Sequence, residues 1–192
     1  MAKSKKFTVR FRRRRESRTD YKTRLKLLKS RKPRLVIRKS LNNITVQITE
    51  YGKNGDKILI SAHATELRKL GWKSNLSNLP SSYLLGLLLG KKTKAKNIAY
   101  CILDTGITPS IKGSTTYAVL KGALDAGLNI PHNENILPDE KRVSGQHIQD
   151  YARKLKNSEA YKKQFSGYIK NNFDVENITK EFEKIKAKII EK

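Results

Sequence analysis

Between positions 3 and 39 the chain reads KSKKFTVRFRRRRESRTDYKTRLKLLKSRKPRLVIRK, holding 18 of its 42 Lys and Arg against only Glu16 and Asp20. No acidic segment of comparable density faces this charge, so the stretch needs a polyanion from outside, of which nucleic acid phosphate is the usual one. Phe7 and Phe11 flank Thr8, Val9 and Arg10, and Tyr21 sits among the charges that follow. Aromatic rings interleaved with guanidinium groups suit RNA, because unstacked bases stack on both while phosphates take bidentate hydrogen bonds. A nuclear-localisation signal or a solvated tail would carry similar charge.

Charge is unevenly placed along the rest of the chain. Residues 1–40 carry 18 basic and 2 acidic groups, residues 41–140 carry 11 and 8, and residues 141–192 carry 13 and 7. A nearly neutral middle between basic ends reads as a folded body with two nucleic-acid-gripping extensions. At 192 residues and 37% hydrophobic the chain can bury one real core, and a net charge of +25 is extreme for a soluble enzyme. Cys101 is the sole cysteine, which rules out an intrachain disulfide and a Cys-based zinc site and suits a reducing compartment. The longest apolar run, residues 83–89, is too short to span a bilayer, and charges occupy the place of a signal peptide's apolar region. The expectation is a soluble cytoplasmic protein, in which the sequons at Asn43, Asn75 and Asn177 have no consequence.

Hydrophobic spacing places the elements. Thr19 or Asp20 caps a helix running to about Ser30, with Tyr21, Leu25 and Leu28 on its apolar stripe and Pro33 beyond it. Strands are expected at 35–40, 44–50 and 57–62; in the second, Ile44, Val46 and Ile48 alternate with Thr45, Gln47 and Thr49, so one face is buried and one polar. Asn54-Gly55 marks a hairpin between the second and third. Thr65 caps a short helix ended by Gly71, and the almost wholly apolar run from Asn78 to Gly90 predicts a buried helix with Pro80 in its first turn. Residues 91–96 lead to a central strand at 98–104, and Ser114 caps a helix to Ala126 closed by Gly127. After a loop at 128–143, helices are expected at 145–156, 158–171 and 176–190. The pattern is α/β: a mixed sheet, an antiparallel meander plus a later strand, layered with helices. It divides into a basic arm and helix at 1–32, a core at 33–130 and a loop with a helical extension at 131–192.

Catalytic signals are thin. Ile102-Leu103-Asp104-Thr105-Gly106 has the form of an aspartic protease motif, but a single copy would need a homodimer and the flanking residues do not match; a strand end entering a loop is the plainer reading. Residues 86–93 have the wrong glycine spacing for a phosphate-binding loop, and their lysines fall at the end of a helix. His63, His132 and His147 lack metal-ligand spacing, and clustered carboxylates for an RNase-H-like site are missing. The reading is a binding protein with no cofactor, metal, membrane or small-molecule substrate.

Many short motifs occur in one order: Phe11-Arg12-Arg13-Arg14-Arg15-Glu16, Thr19-Asp20-Tyr21, Arg24-Leu25, Lys32-Pro33-Arg34-Leu35-Val36-Ile37-Arg38-Lys39-Ser40, Ser61-Ala62-His63, Gly71-Trp72, Asn78-Leu79-Pro80-Ser81-Ser82-Tyr83-Leu84, Gly113-Ser114, Gly122-Ala123-Leu124-Asp125-Ala126-Gly127-Leu128 and Ile130-Pro131-His132-Asn133. Over residues 7–152 the chain thereby resembles the ribosomal protein family called universal large-subunit protein eighteen in its archaeal form, related to the eukaryotic 5S rRNA-binding protein. The resemblance implies a structural protein of the central protuberance whose partners are 5S rRNA, the large-subunit rRNA and neighbouring ribosomal proteins. It places RNA contacts on Arg10, Arg12, Arg13, Arg14, Arg15, Arg18, Tyr21, Lys22, Arg24, Arg34, Arg38 and Lys39, with Lys112 and Ser114 in a further loop. The polar strand face adds Thr45 and Gln47, which suit the phosphates and 2′-hydroxyls of an A-form helix. A nonspecific nucleic-acid-binding protein is the alternative.

Overall fold

Side-chain alternation sorts the strands onto two faces of one sheet. In the computed structural model, which describes residues 8–156 and 158–191, these are β1 (Arg34–Lys39), β2 (Ile44–Gly52), β3 (Gly55–His63) and β4 (Ile102–Asp104). Phe7 and the lysines before it lie outside the described residues. The strand order is β3-β2-β1-β4; β1 and β3 run antiparallel to β2, and β4 runs parallel to β1. The expected mixed α/β layer is therefore present. Leu35, Ile37, Ile44, Val46, Ile48, Ile60 and Ala62 are buried on one face, under α4 (Leu79–Lys94) and α5 (Thr115–Asp125).

The helix α4 is apolar on nearly every side and is buried accordingly. Asn78 caps it by accepting the Ser81 N–H at 3.0 Å. It meets α5 backbone to backbone: a Cβ on Gly86 would lie 2.1 Å from the Val119 carbonyl oxygen, and one on Gly122 would lie 2.1 Å from that of Tyr83. From the far end of the chain, α10 (Ile178–Glu191) adds Ile178, Phe182, Ile185 and Ile189 to the same core, with the Phe182 ring 5.5 Å from Tyr83. A smaller cluster of Ala152, Phe165 and Val175 joins α7 (Gln146–Leu155), α8 (Glu159–Gln164) and α9 (Ser166–Lys170). The outer edge of β3 is closed by side chains, since Lys92 and Lys96 reach from α4 and the turn after it to the carbonyls of Ser61 (3.0 Å) and Leu59 (2.8 Å). Among the described residues no helix is long and apolar enough to cross a membrane.

Several expectations need correction. β4 is a three-residue edge strand, not a central strand over 98–104. Residues 91–94 continue α4, and the chain then turns through Asn97 at φ +55° and reaches the sheet late. Residues 158–171 form two helices that break at Phe165, whose ring is buried among Tyr151, Tyr161 and Tyr168. Thr65 opens the short α3 (Thr65–Lys69) without capping it, because its hydroxyl is taken up by His63 Nδ1 at 2.8 Å. Ser114 stands at the N-cap of α5 with no capping bond, and its Oγ is buried without a hydrogen-bond partner among the described residues. The hairpin turns on Lys53-Asn54, one residue before the expected pair, and only Gly55 takes a positive φ.

The glycine contact between α4 and α5 sets a stability prediction. Replacing Gly86 with Ala drives a methyl group into backbone that no rotamer change can move, at about 3 kcal/mol or more. Differential scanning calorimetry should show a Tm lower by on the order of 10 °C. Gly167→Ala, where an added Cβ meets no atom within 4 Å, should leave Tm unchanged or slightly higher.

Candidate nucleic-acid interface

The cationic arm is ordered by short local bonds. Arg12–Arg15 form a single helical turn, α1, with all four side chains exposed. The Phe11 ring packs 5.3 Å from Tyr21, and Arg13 Nε donates to Thr19 Oγ1 at 2.9 Å. Asp20 then caps α2 (Tyr21–Lys29), accepting the Lys22 N–H at 3.0 Å and the Thr23 hydroxyl at 2.5 Å. Those hydrogen bonds from Thr23 hold the Asp20 carboxyl below its usual range.

Helix α2 buries no residue outright, and with Tyr21, Leu27 and Leu28 only half-buried, apolar packing is a small part of what holds it. Leu25, expected on its buried stripe, is 59% exposed. The inward position belongs to Arg24, which makes a two-pronged bond to Asp56 at 2.8 and 2.9 Å. Asp56 also accepts from Arg34 at 2.6 Å, and Arg34 donates its other terminal nitrogen to Asp104 at 2.6 Å. Partial burial works against ionising Asp56, but the bonds from Arg24 and Arg34 outweigh it and lower its pKa. The chain Arg24–Asp56–Arg34–Asp104 thus links α2, the β2–β3 hairpin, β1 and β4.

Arg34 is 1% exposed, so its expected RNA contact is corrected to an internal one. β1 alternates Arg34, Val36 and Arg38 on its outer face, and the first of these is covered by α2 while the last is free. Thr49, opposite Arg34 in the ladder, is buried for the same reason.

Between the arm and the outer sheet face lies an open cleft of about 630 Å³. Arg13, Arg18, Arg38 and Lys39 supply its cations, Tyr21 and Gln47 its half-buried polar wall, and Val36, Ile58 and Ile107 its apolar patches. Of the other sequence-derived candidates, Arg10, Arg12, Arg14, Arg15 and Lys22 are exposed on the arm beside it, and Thr45 faces Arg38 on the same sheet surface. Lys112 is exposed in the loop before α5 but does not line the cleft, and Ser114 turns its hydroxyl inward. Thr105–Thr108 do line it and escaped the sequence reading. Their signal was the Asp-Thr-Gly turn itself, which leaves a strand parallel to β1 and so emerges beside Arg38 and Lys39.

The residues that suggested chemistry are otherwise engaged. Asp104 is held by Arg34, residues 86–93 lie within α4, and burial pushes the Cys101 thiol up to about 12. Among the described residues, no group of three or more His, Cys, Asp or Glu is placed to hold a metal ion.

A nearly neutral α/β body that turns a cation-rimmed polar sheet face outward defines a class: the basic structural proteins of ribonucleoproteins. The sequence model of a family described as "Ribosomal large subunit proteins 60S L5, and 50S L18" matches residues 5–99 and 92–133. The chain is also 50% identical, over 191 residues covering 99% of both chains, to a protein of Methanococcus maripaludis named "Large ribosomal subunit protein uL18". It belongs to this L5/L18 family and is a structural constituent of the large ribosomal subunit.

The ion-pair network yields a pH-dependent prediction. Because the folded pKa of Asp56 is depressed, its contribution is fully present above the unfolded value of about 3.9 and is lost as pH falls through the folded value. Arg34→Met removes the cation between buried Asp104 and the more open Asp56 and should cost about 3 kcal/mol at pH 7 in urea denaturation. The difference from the native chain should shrink as pH falls and Asp56 takes up its proton. A difference that stays constant from pH 7 to well below that unfolded value would mean that lost packing, not charge, sets the effect.

Proposed function

We propose that this ribosomal protein binds 5S rRNA and helps attach it to the large rRNA in the central protuberance. The observation that carries the reading is the cleft where the arginine arm lies along the polar sheet face. RNA phosphates sit on Arg10, Arg12, Arg13, Arg14, Arg15, Arg18, Lys22, Arg38 and Lys39. Thr45 and Gln47 offer hydroxyl and amide groups to 2′-hydroxyls in the shallow groove of an A-form helix. Tyr21 and Phe11 supply ring faces for stacking, Phe11 being 71% exposed. Lys112 adds a cation from the loop before α5, while Arg24 acts chiefly by docking α2. Large-subunit rRNA and adjoining ribosomal proteins meet the remaining basic surface. The fit to 5S rRNA rests on the family and on a site whose donors suit duplex RNA with unpaired bases.

Replacing Arg12, Arg13, Arg14 and Arg15 together with Ala should weaken 5S rRNA binding by at least about a hundredfold at moderate salt, with Tm almost unchanged because these side chains are exposed. For the native chain, log affinity should fall steeply with log salt, by about 0.7–0.9 per phosphate contact. Filter binding of 5S rRNA against transfer RNA competitor checks both points. Equal competition by transfer RNA would favour a nonspecific binder, and affinity that stays flat with salt would rule the mechanism out.

A further inference from the structure

We propose that a second groove, between the β1–β2 turn with α3 on one side and α8–α9 on the other, is a further RNA-backbone site; this rests on the 5S rRNA reading above. The groove measures about 250 Å³, and its polar lining includes Asn42, Arg68, Asn75, Gln164, Tyr168 and Asn171. None of its lining residues is a carboxylate. The side chains of Arg68, Asn42, Gln164 and Asn171 are exposed and make no hydrogen bond or ion pair among the described residues.

This set of groups matches a sugar-phosphate strand. An unpaired guanidinium takes a phosphate in two-pronged fashion. Amides both donate and accept, which is what a ribose 2′-hydroxyl requires. Lys162, Lys163 and Lys170, exposed on α8 and α9, add positive field around the rim. A protein neighbour would need an exposed apolar or aromatic anchor. Within the groove the apolar groups are covered, Leu76 being 4% exposed and Tyr168 half-buried against Ser74, while Leu41 (93% exposed) on the adjoining turn and Ile169 (46%) on α9 stand outside its lining.

Position supports the assignment. Lys39 lines the first cleft, and Asn42, three residues on, lines the second. Three residues of chain span at most about 11 Å, so one RNA segment can touch both. Gln164, Tyr168 and Asn171 lie beyond residue 133, where the match to the family model ends, in a stretch over which the Methanococcus maripaludis relative still aligns.

Gly167 makes the test clean. It lies in the groove within α9, and a Cβ there would meet no atom within 4 Å, so Gly167→Glu places an anion in the site without crowding the fold. With 5S rRNA as probe, Gly167→Glu and Arg68→Ala should each weaken binding about tenfold, at unchanged Tm. Arg68→Ala should also lower the salt slope by about 0.7–0.9, and Gly167→Lys should bind at least as tightly as the native chain. Hydroxyl-radical protection should be lost from one contiguous patch of the RNA and kept elsewhere. Native affinity, slope and protection in both Arg68→Ala and Gly167→Glu would overturn the proposal, including the case where a protein fills the groove. If the native chain itself fails to bind 5S rRNA, the preceding reading falls; if it binds and these variants bind equally, only the groove assignment does.

Discussion

One guanidinium holds the walls of the cleft together. Arg34 is almost wholly buried, and taking a charge out of water costs several kcal/mol unless partners surround it. It has two, Asp56 and Asp104, each at 2.6 Å. One comes from the hairpin and the other from the end of β4, so Arg34 draws three strands together at one end of the sheet. Asp56 then passes the connection to Arg24, and by that route a helix with no buried side chain is fixed across the sheet. The shape of the cleft therefore depends on charge pairing, with the apolar core beneath it supplying the rigid base.

This explains where reading from residues succeeded and where it stopped. The alternation of Ile44, Val46 and Ile48, the Asn-Gly turn and the apolar run after Asn78 are local signals, and each produced its element in the expected place with small shifts. Leu25 misled because periodicity ranks leucine above arginine on a buried stripe. Only the pairing of Asp56 with Arg24, 32 residues apart, turns the helix the other way. Arg34 misled for the same reason: in sequence it is one cation among many, and Asp104, 70 residues away, makes it internal. The cationic arm and the polar face of β2 were legible as exposed, charged and polar surface because they need no long-range partner to be recognised. Thr105–Thr108 were not, because their place beside Arg38 follows from the parallel pairing of β4 with β1.

The arm's own contacts suit a partner that arrives later. Glu16 is paired with Arg12 at 3.6 Å and Arg18 at 3.2 Å, all of them exposed, and such pairs contribute little in water. Phosphate can replace Glu16 at small cost while the buried Arg34 network stays intact. The exchangeable charges face outward and the permanent ones lie beneath, so binding need not disturb the fold.

The two lysines on the rim of β3 bear on the time before assembly. A strand with unsatisfied carbonyls invites another copy to add on, and repeated addition ends in aggregates. With Lys92 and Lys96 seated on the Ser61 and Leu59 oxygens, the edge offers an added strand fewer free acceptors. A newly made chain thus keeps those two carbonyls occupied until nucleic acid reaches the adjoining sheet face, where Ile58 of the same strand lines the cleft.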